Sequence, residues 1–354
     1  MTKTNIWRVE QAGDDQLPSE LKEAASQLRE GGLIAFPTET VYGLGADARS
    51  TAAVERIFMA KGRPSDNPLI VHIAQRSQLD ELVLPYPELA AALMDRFWPG
   101  PLTIVLPLRG EVLSPLVTAG LSTVGIRMPN HRSALELLMQ AGCPVAAPSA
   151  NRSGRPSPTL AEHVLEDLNG RIDGVVDDGA TGVGLESTVI ELEGEKIIRI
   201  LRPGGITKEA LQQAAPHALV DSASTEEESN AAPRSPGMKY THYAPKGELE
   251  LVNGAPEAVV AYIASQAMEA QQRGEITGVL AFEERLSAYE ANRVISLGSE
   301  LELGSAAHLL YAALRELDEA GVQRIWAEGC TEQGIGAALM NRMAKAAGNR
   351  IIHV

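Results

Sequence analysis

In the first part of the chain, some segments have apolar residues at helical spacing and others have short continuous apolar runs. Leu21, Ala24 and Leu28 recur at helical spacing after Ser19, a typical N-cap residue. Helices are predicted from residue 19 to Gly31-Gly32 and at 51–60, 78–83, 88–97, 132–140, 160–168 and 208–215. Strands are predicted at 33–36, 69–73, 102–108, 121–129, 144–147 and 174–177, with 186–190 and 197–201 as an antiparallel pair.

In the last third of the chain, apolar runs and helical patterns alternate regularly. Strands are predicted near 249–252, 278–282, 293–297, 324–327 and 351–354, and helices near 256–272, 305–320 and 335–347. This order is typical of βαβ units, so we expect a small parallel sheet covered by helices. Gly334 and Gly336 supply only half of a dinucleotide fingerprint, so we interpret them as helix-start packing and assign no cofactor.

Polar residues interrupt these two patterns at 221–236, where Ser, Glu and Asn dominate. Such a composition is typical of a linker. The following run at 235–245 contains two tyrosines, a histidine and a lysine, which a plain spacer would not need. We therefore predict a first domain at 1–215, a linker at 216–245 that lies on another part of the protein, and a second domain at 246–354.

Composition narrows the possible functions. The chain has 354 residues, is 44% hydrophobic and has a formal net charge of −15, which opposes broad binding to nucleic acid. Its two cysteines, Cys143 and Cys330, are far apart and suggest neither a disulfide framework nor a zinc site. The amino terminus lacks an apolar signal region, and we find no apolar run long enough to cross a membrane. We expect a soluble protein of a reducing compartment.

Three polar loops follow or precede predicted strands of the first domain. The loop at 61–68 carries Lys61 and Arg63 between rigid prolines, and the run at 37–45 combines hydroxyls, one carboxylate and two glycines. The loop at 148–158 adds Ser149 and Asn151. Because ligands of α/β sheets bind beyond strand ends, the three loops suggest one shared pocket, although each alone also fits an ordinary surface loop or turn.

Arg127 lies within an apolar predicted strand, four residues after Thr123, so both side chains should leave the same face. A buried arginine needs a partner. Two interpretations remain open from the residues: a structural salt bridge with a carboxylate, or an anion-binding site.

With these motifs, the chain resembles the threonylcarbamoyl-AMP synthase family in its long form, which has a carboxy-terminal extension domain. The matching stretches are Phe-Pro-Thr-Glu-Thr-Val-Tyr-Gly-Leu-Gly (36–45), Lys-Gly-Arg-Pro with Asn-Pro-Leu and His (61–72), Pro-Gly-Pro-Leu-Thr (99–103), Gly-Ile-Arg-Met-Pro (125–129), Pro-Ser-Ala-Asn with Ser-Gly (148–154), Ser-Thr-Val (187–189) and His-Tyr-Ala-Pro (242–245). The resemblance implies an α/β fold with a YrdC-like twisted mixed sheet and a smaller Rossmann-like parallel domain.

The resemblance also implies the reaction and its participants. The family forms L-threonylcarbamoyladenylate and pyrophosphate from L-threonine, bicarbonate and ATP with Mg²⁺, and other proteins transfer the product to tRNA beside the anticodon. We therefore expect a cytoplasmic nucleotidyltransferase with little direct nucleic-acid binding, no membrane association, no protein nucleophile and unknown metal ligands. Implied ATP-binding residues are Lys61, Arg63, Asn67, Thr123, Ser149, Asn151, Ser157, Arg202 and Tyr243. Implied threonine-binding residues are Thr40, His72, Arg127 and Ser187, with Arg127 pairing the threonine carboxylate and Tyr243 bringing the linker over the pocket as a lid. Whether His72 acts as a base or only as a hydrogen-bond donor stays open.

Three alternative functions are compatible with the residues. The first domain could bind RNA without chemistry, which the net charge disfavours. A related hydrogenase-maturation carbamoyltransferase carries a similar domain, but its zinc fingers need more than two isolated cysteines. A regulatory protein that binds ATP without turnover is the third, and ATP consumption that depends on both other substrates would exclude it.

Overall fold

The computed structural model describes residues 3–9, 19–222 and 242–354, which fall into two compact units. The first unit contains 3–9, 19–153, 158–182 and 186–222, and the second contains 154–157, 183–185 and 242–354. Residues 223–241, which include most of the predicted linker, lie outside the described residues.

One sheet of 11 strands runs through the first unit. Its strands are β1 (Asn5–Arg8), β2 (Ile34–Phe36), β3 (Gly43–Asp47), β4 (Val71–His72), β5 (Leu102–Pro107), β6 (Thr123–Arg127), β7 (Val145–Ala146), β8 (Gly174–Asp177), β9 (Thr188–Glu193), β10 (Ile197–Arg202) and β11 (Leu219–Ser222). They lie in the order β1-β8-β2-β3-β7-β4-β6-β5-β9-β10-β11. The sheet contains parallel pairs, such as β4 with β6, and antiparallel pairs, such as β5 with β6, which confirms the predicted mixed sheet.

Helices cover both faces of this sheet. They are α1 (Ser19–Arg29), α2 (Thr51–Lys61), α3 (Leu79–Leu82), α4 (Glu88–Phe97), α5 (Pro115–Thr118), α6 (Arg132–Ala141), α7 (Ala161–Leu168) and α8 (Lys208–Ala214). Successive residues of a strand point to opposite faces, and accordingly Ile34 and Phe36 pack with α1 and α6 while Ala35 belongs to the other core. Each face of the sheet therefore has its own apolar core.

The two glycines of the 37–45 run, Gly43 and Gly45, lie in the strand β3, which pairs with β2 and β7. A Cβ at Gly45 would lie 2.7 Å from Phe36 Cε1 and 2.8 Å from Val145 Cγ1. Gly45 is therefore required by the packing of two apolar side chains.

Other short elements had no clear sequence signal. The strand β1, the single-turn helix α5 and the edge strand β11 were not predicted, and β11 lies within the segment assigned to the linker. Strand β11 pairs in parallel with β10, so its extended conformation depends on a distant partner.

The second unit contains a parallel sheet of five strands, as predicted. Its strands are β12 (Glu248–Asn253), β13 (Thr277–Ala281), β14 (Arg293–Ser296), β15 (Arg324–Glu328) and β16 (Ile351–His353), in the order β14-β13-β15-β12-β16. Its helices are α9 (Pro256–Gln272), α10 (Leu303–Glu319) and α11 (Gly336–Ala346). A Cβ at Gly336 would lie 2.0 Å from the Thr331 carbonyl oxygen, which agrees with helix-start packing for this glycine, whereas a Cβ at Gly334 would meet no described atom within 4 Å. Among the described residues, we find no helix whose length and apolar character would let it span a membrane.

Candidate functional site

The first two polar loops meet the 148–153 part of the third loop in the first unit. The amide of Leu44 donates to the carbonyl of Pro148 at 2.7 Å, and the amide of Ala150 donates to the carbonyl of Tyr42 at 2.8 Å. The amide of Ser153 donates to the carbonyl of Lys61 at 2.9 Å. Backbone hydrogen bonds thus join the 37–45 run and Lys61 to the 148–153 part of the third loop.

Lys61 is the last residue of α2, which ends because Gly62 adopts a left-handed conformation with φ of 61°. Its ammonium is buried and donates to the carbonyls of Ser149 at 2.6 Å and Asn151 at 2.5 Å. Burial and the nearby Arg63 hold the pKa of Lys61 well below its ordinary value, while Asp167 acts in the opposite direction. Lys61 therefore fixes the shape of the 149–151 loop.

Asn67 is the clearest unsatisfied polar group among the predicted nucleotide-binding residues. It is 1% exposed, and neither its amide nitrogen nor its amide oxygen has a hydrogen-bond partner among the described residues. The neighbouring Arg63 donates two long bonds of 3.4 Å to the carbonyls of Asn67 and Pro68. Because a buried amide without partners is destabilising, this arrangement is typical of a position prepared for a ligand.

The Arg127 guanidinium is held from three sides. Its Nη1 donates to Thr40 Oγ1 at 2.9 Å and its Nε donates to the Gly100 carbonyl at 3.3 Å. Its Nη2 lies 2.6 Å from Glu39 Oε2, and both side chains are almost fully buried. The salt bridge that sequence reasoning left open is therefore present. Glu39 was not among the predicted site residues, although it is the one carboxylate in the 37–45 run.

His72 lies beside Arg127, because β4 and β6 pair in register at these two residues. Burial, and then the charge of Arg127, lower the pKa of His72 to about 3, against the raising effect of a hydrogen bond with the Ile70 backbone. Its ring meets that of Phe36 edge-on at 6.3 Å, and its Nδ1 has no hydrogen-bond partner among the described residues. At neutral pH the imidazole is uncharged.

Ser187, directly before β9, connects two further buried side chains. Its hydroxyl lies 2.8 Å from the hydroxyl of Thr103, and it accepts a bond from Arg202 Nη2 at 3.2 Å. Arg202 also donates to the Ser187 carbonyl, from Nε at 3.2 Å and from Nη2 at 3.0 Å. Thr103 was not among the predicted site residues, although it ends the Pro-Gly-Pro-Leu-Thr motif. It is fully buried here.

The remaining predicted residues lie in two places. Thr123 is the first residue of β6 and is half-buried, four residues before Arg127 on the same strand. Ser157 and Tyr243 belong to the second unit, and both are buried. The Tyr243 ring packs against that of Tyr311 at 5.2 Å and lies 5.6 Å from the Arg342 guanidinium carbon, with a backbone φ of 66°.

Two family models match the chain. One, described as telomere recombination and named for Sua5, YciO and YrdC, matches residues 26–204. The other, described as the threonylcarbamoyl-AMP synthase C-terminal domain, matches residues 206–348.

Similar proteins cover nearly the whole chain. A threonylcarbamoyl-AMP synthase of Bacillus subtilis is 52% identical over 99% of both chains, and one of Pyrococcus abyssi is 47% identical over 94% of this chain and 96% of its own. A fission yeast protein of the same name, from Schizosaccharomyces pombe, is 40% identical over 93% of this chain and 88% of its own. The crystal structure of P. abyssi Sua5 complexed with L-threonine superposes with a TM-score of 0.90 at 44% identity and covers 100% of both chains.

Proposed function

This chain belongs to the threonylcarbamoyl-AMP synthase family, and we propose that it forms L-threonylcarbamoyladenylate and pyrophosphate from L-threonine, bicarbonate and ATP. The proposal is supported by buried polar side chains of the first unit whose hydrogen-bonding atoms have no partner among the described residues. They include Glu39, Asn67 and His72. Because such atoms are costly when they stay unsatisfied, we interpret them as ligand contacts.

The proposed chemistry needs positioning more than a protein nucleophile. The amine of threonine loses a proton and condenses with bicarbonate to a carbamate, releasing water. A carbamate oxygen then attacks the α-phosphorus of ATP, and the bond to the bridging oxygen breaks as pyrophosphate leaves. Fixed cations, hydroxyls and amides can stabilise the charge that develops on the phosphate oxygens.

Arg127 is proposed to bind the threonine carboxylate, since its fork of donors suits a planar anion. Thr40, His72 and Ser187 would contact the rest of the amino acid. A neutral His72 can donate or accept a single hydrogen bond there without adding a second positive charge beside Arg127.

ATP is proposed to lie against the implied ATP-binding residues of the first unit. Among these, Lys61 shapes the 149–151 loop, and Asn67 has a buried amide with no hydrogen-bond partner among the described residues. We propose that Mg²⁺ arrives on the phosphates of ATP, as Mg²⁺ commonly binds through substrate phosphates and one or two carboxylates. In the described part of the chain, we find no group of three His, Cys, Asp or Glu side chains placed to hold a metal ion.

Beyond the reaction itself, we propose that the product is passed to proteins that modify tRNA next to the anticodon, in the cytoplasm. The net charge of −15 favours a function through small substrates over direct RNA binding.

The test is pyrophosphate release from ATP and Mg²⁺ with L-threonine and bicarbonate each present or omitted. We expect release only when both are present. Release without threonine would contradict the proposal, and so would the absence of release in the complete mixture.

A further inference from the structure

The ion pair between Glu39 and Arg127 is asymmetric. Arg127 keeps two other acceptors, the Thr40 hydroxyl and the Gly100 carbonyl, so its position does not depend on Glu39. Glu39 has no such second support, because neither of its carboxylate oxygens accepts a well-aligned hydrogen bond from a described residue. If the pair opens, Arg127 stays in place and Glu39 is the partner that can turn.

A second buried ion pair in the chain shows what a purely structural pair looks like. Glu328 is fully buried and accepts hydrogen bonds from Arg285, from the Phe282 amide at 2.9 Å and from the Tyr289 hydroxyl. Buried charges are tolerated when their remaining lone pairs are satisfied in this way. Glu39 is 12% exposed in its side chain and lacks that support, so its carboxylate retains the capacity to bind a donor.

An α-amino acid at neutral pH carries a carboxylate and an ammonium on the same carbon. The Glu39–Arg127 pair presents the opposite charges side by side, with 2.6 Å between Oε2 and Nη2. If a zwitterion inserts between the two side chains, two ion pairs replace one. Both Glu39 and Arg127 then still have a partner of opposite charge.

We propose that Glu39 binds the ammonium group of the amino-acid substrate and occupies Arg127 in its absence. The substrate carboxylate then takes the place of the Glu39 carboxylate on Arg127. This inference rests on the proposed function, because it assumes that Arg127 binds the substrate carboxylate. Glu39 would then be a specificity-determining residue that recognises the amino group on which the carbamate forms.

The test is a calorimetric comparison of two probes, L-threonine and (R)-3-hydroxybutyrate, which lacks only the amine. The variants are Glu39→Gln and, as a matched control, Glu55→Gln, at an exposed position of α2. We expect Glu39→Gln to weaken L-threonine binding about 10- to 100-fold, the range of a hydrogen bond to a charged group. Binding of (R)-3-hydroxybutyrate should stay equal or become tighter, because Arg127 no longer has a competing carboxylate.

Equal or tighter binding of L-threonine by Glu39→Gln would overturn the inference, since the carboxylate would then only compete for Arg127. The wild-type protein gives a second test that does not depend on how the variant folds. Equal wild-type affinity for the two probes would show that the ammonium is not recognised and would also overturn it. Failure of the wild-type protein to bind L-threonine would instead contradict the proposed function.

Discussion

The ammonium of Lys61 donates to the backbone carbonyls of both Ser149 and Asn151, at 2.6 and 2.5 Å, from the end of a different element. A third acceptor, the Asn151 side-chain oxygen, lies at 3.4 Å. One buried cation therefore holds together a loop that sequence analysis assigned to ATP binding. Its effect on ATP would be exerted at least in part through the shape of that loop.

Replacing Lys61 by Met should lower the stability of the protein and weaken its interaction with ATP. The change leaves two carbonyls without their donor, and this cost should exceed the gain from no longer burying a charge. We therefore expect the free energy of unfolding to fall by about 1–3 kcal/mol. The KM for ATP should rise as the 149–151 loop loses its shape. Denaturant unfolding and steady-state kinetics measure the two effects. Lys22→Met, at an exposed position of α1, is the control. If Lys61→Met matched this control in stability and in the KM for ATP, Lys61 would not hold the 149–151 loop.

Asn67→Leu should separate stability from function. Because both atoms of the buried amide lack partners among the described residues, an apolar side chain of similar size should leave the free energy of unfolding unchanged or raise it by about 1 kcal/mol. The KM for ATP should rise about tenfold or more as the ligand contact is lost. Asn130→Leu, at an exposed site, controls for the exchange itself. A loss of stability in the absence of ligand would mean that the amide already has a structural partner.

The depressed pKa of His72 predicts how stability depends on pH. In the unfolded chain the imidazole takes up a proton as the pH falls through 6.5, whereas in the folded protein it does so only near 3. The contribution of His72 is thus fully present above pH 6.5 and is lost progressively as the pH falls toward 3. Between pH 7 and 5 the wild-type protein should lose about 2 kcal/mol more stability than His72→Gln. Parallel pH profiles for the two proteins would contradict this prediction, because they would show that folding does not shift the pKa of His72.

Gly43 and Gly45 of β3 can be compared to test whether side-chain packing requires a glycine at position 45. Gly45→Ala places a Cβ within 2.8 Å of side-chain carbons of Phe36 and Val145, and we expect a loss of about 1–3 kcal/mol. Gly43→Ala meets the Ala147 Cβ at 3.4 Å, an ordinary contact, and should be tolerated. Thermal unfolding of both variants measures the difference. A Gly43→Ala protein less stable than Gly45→Ala would contradict the packing explanation.

The local sequence pattern predicted secondary structure correctly where a segment's own residues determine it. The helices α1 and α9 follow from apolar residues at helical spacing, because each buries one face. The parallel sheet of the second unit follows from short apolar runs that alternate with helices. The motifs also indicated which loops carry polar chemistry. They could do so because hydroxyls, amides and cations at strand ends are unsuited to an apolar core.

Contacts between residues far apart in the chain could not be predicted from the local sequence pattern. Glu195 lies in the turn between β9 and β10. Its carboxylate accepts hydrogen bonds from the amides of Glu88 and Leu89 at 2.7 and 2.8 Å and so caps the first turn of α4. The strand β11 exists because β10 lies beside it. Neither relationship has a signature in the neighbouring residues.

Local spacing and composition were enough to predict most helices and strands, the parallel sheet of the second unit and the polar loops, and the motifs carried the resemblance that implied the mixed sheet. The fold was needed to show that Arg127 pairs with Glu39, that Lys61 holds the 149–151 loop, and that Asn67 and His72 have polar atoms without partners among the described residues. The physical reason is that charge pairing and hydrogen-bond satisfaction depend on which surfaces meet in space, and no period along the chain specifies that.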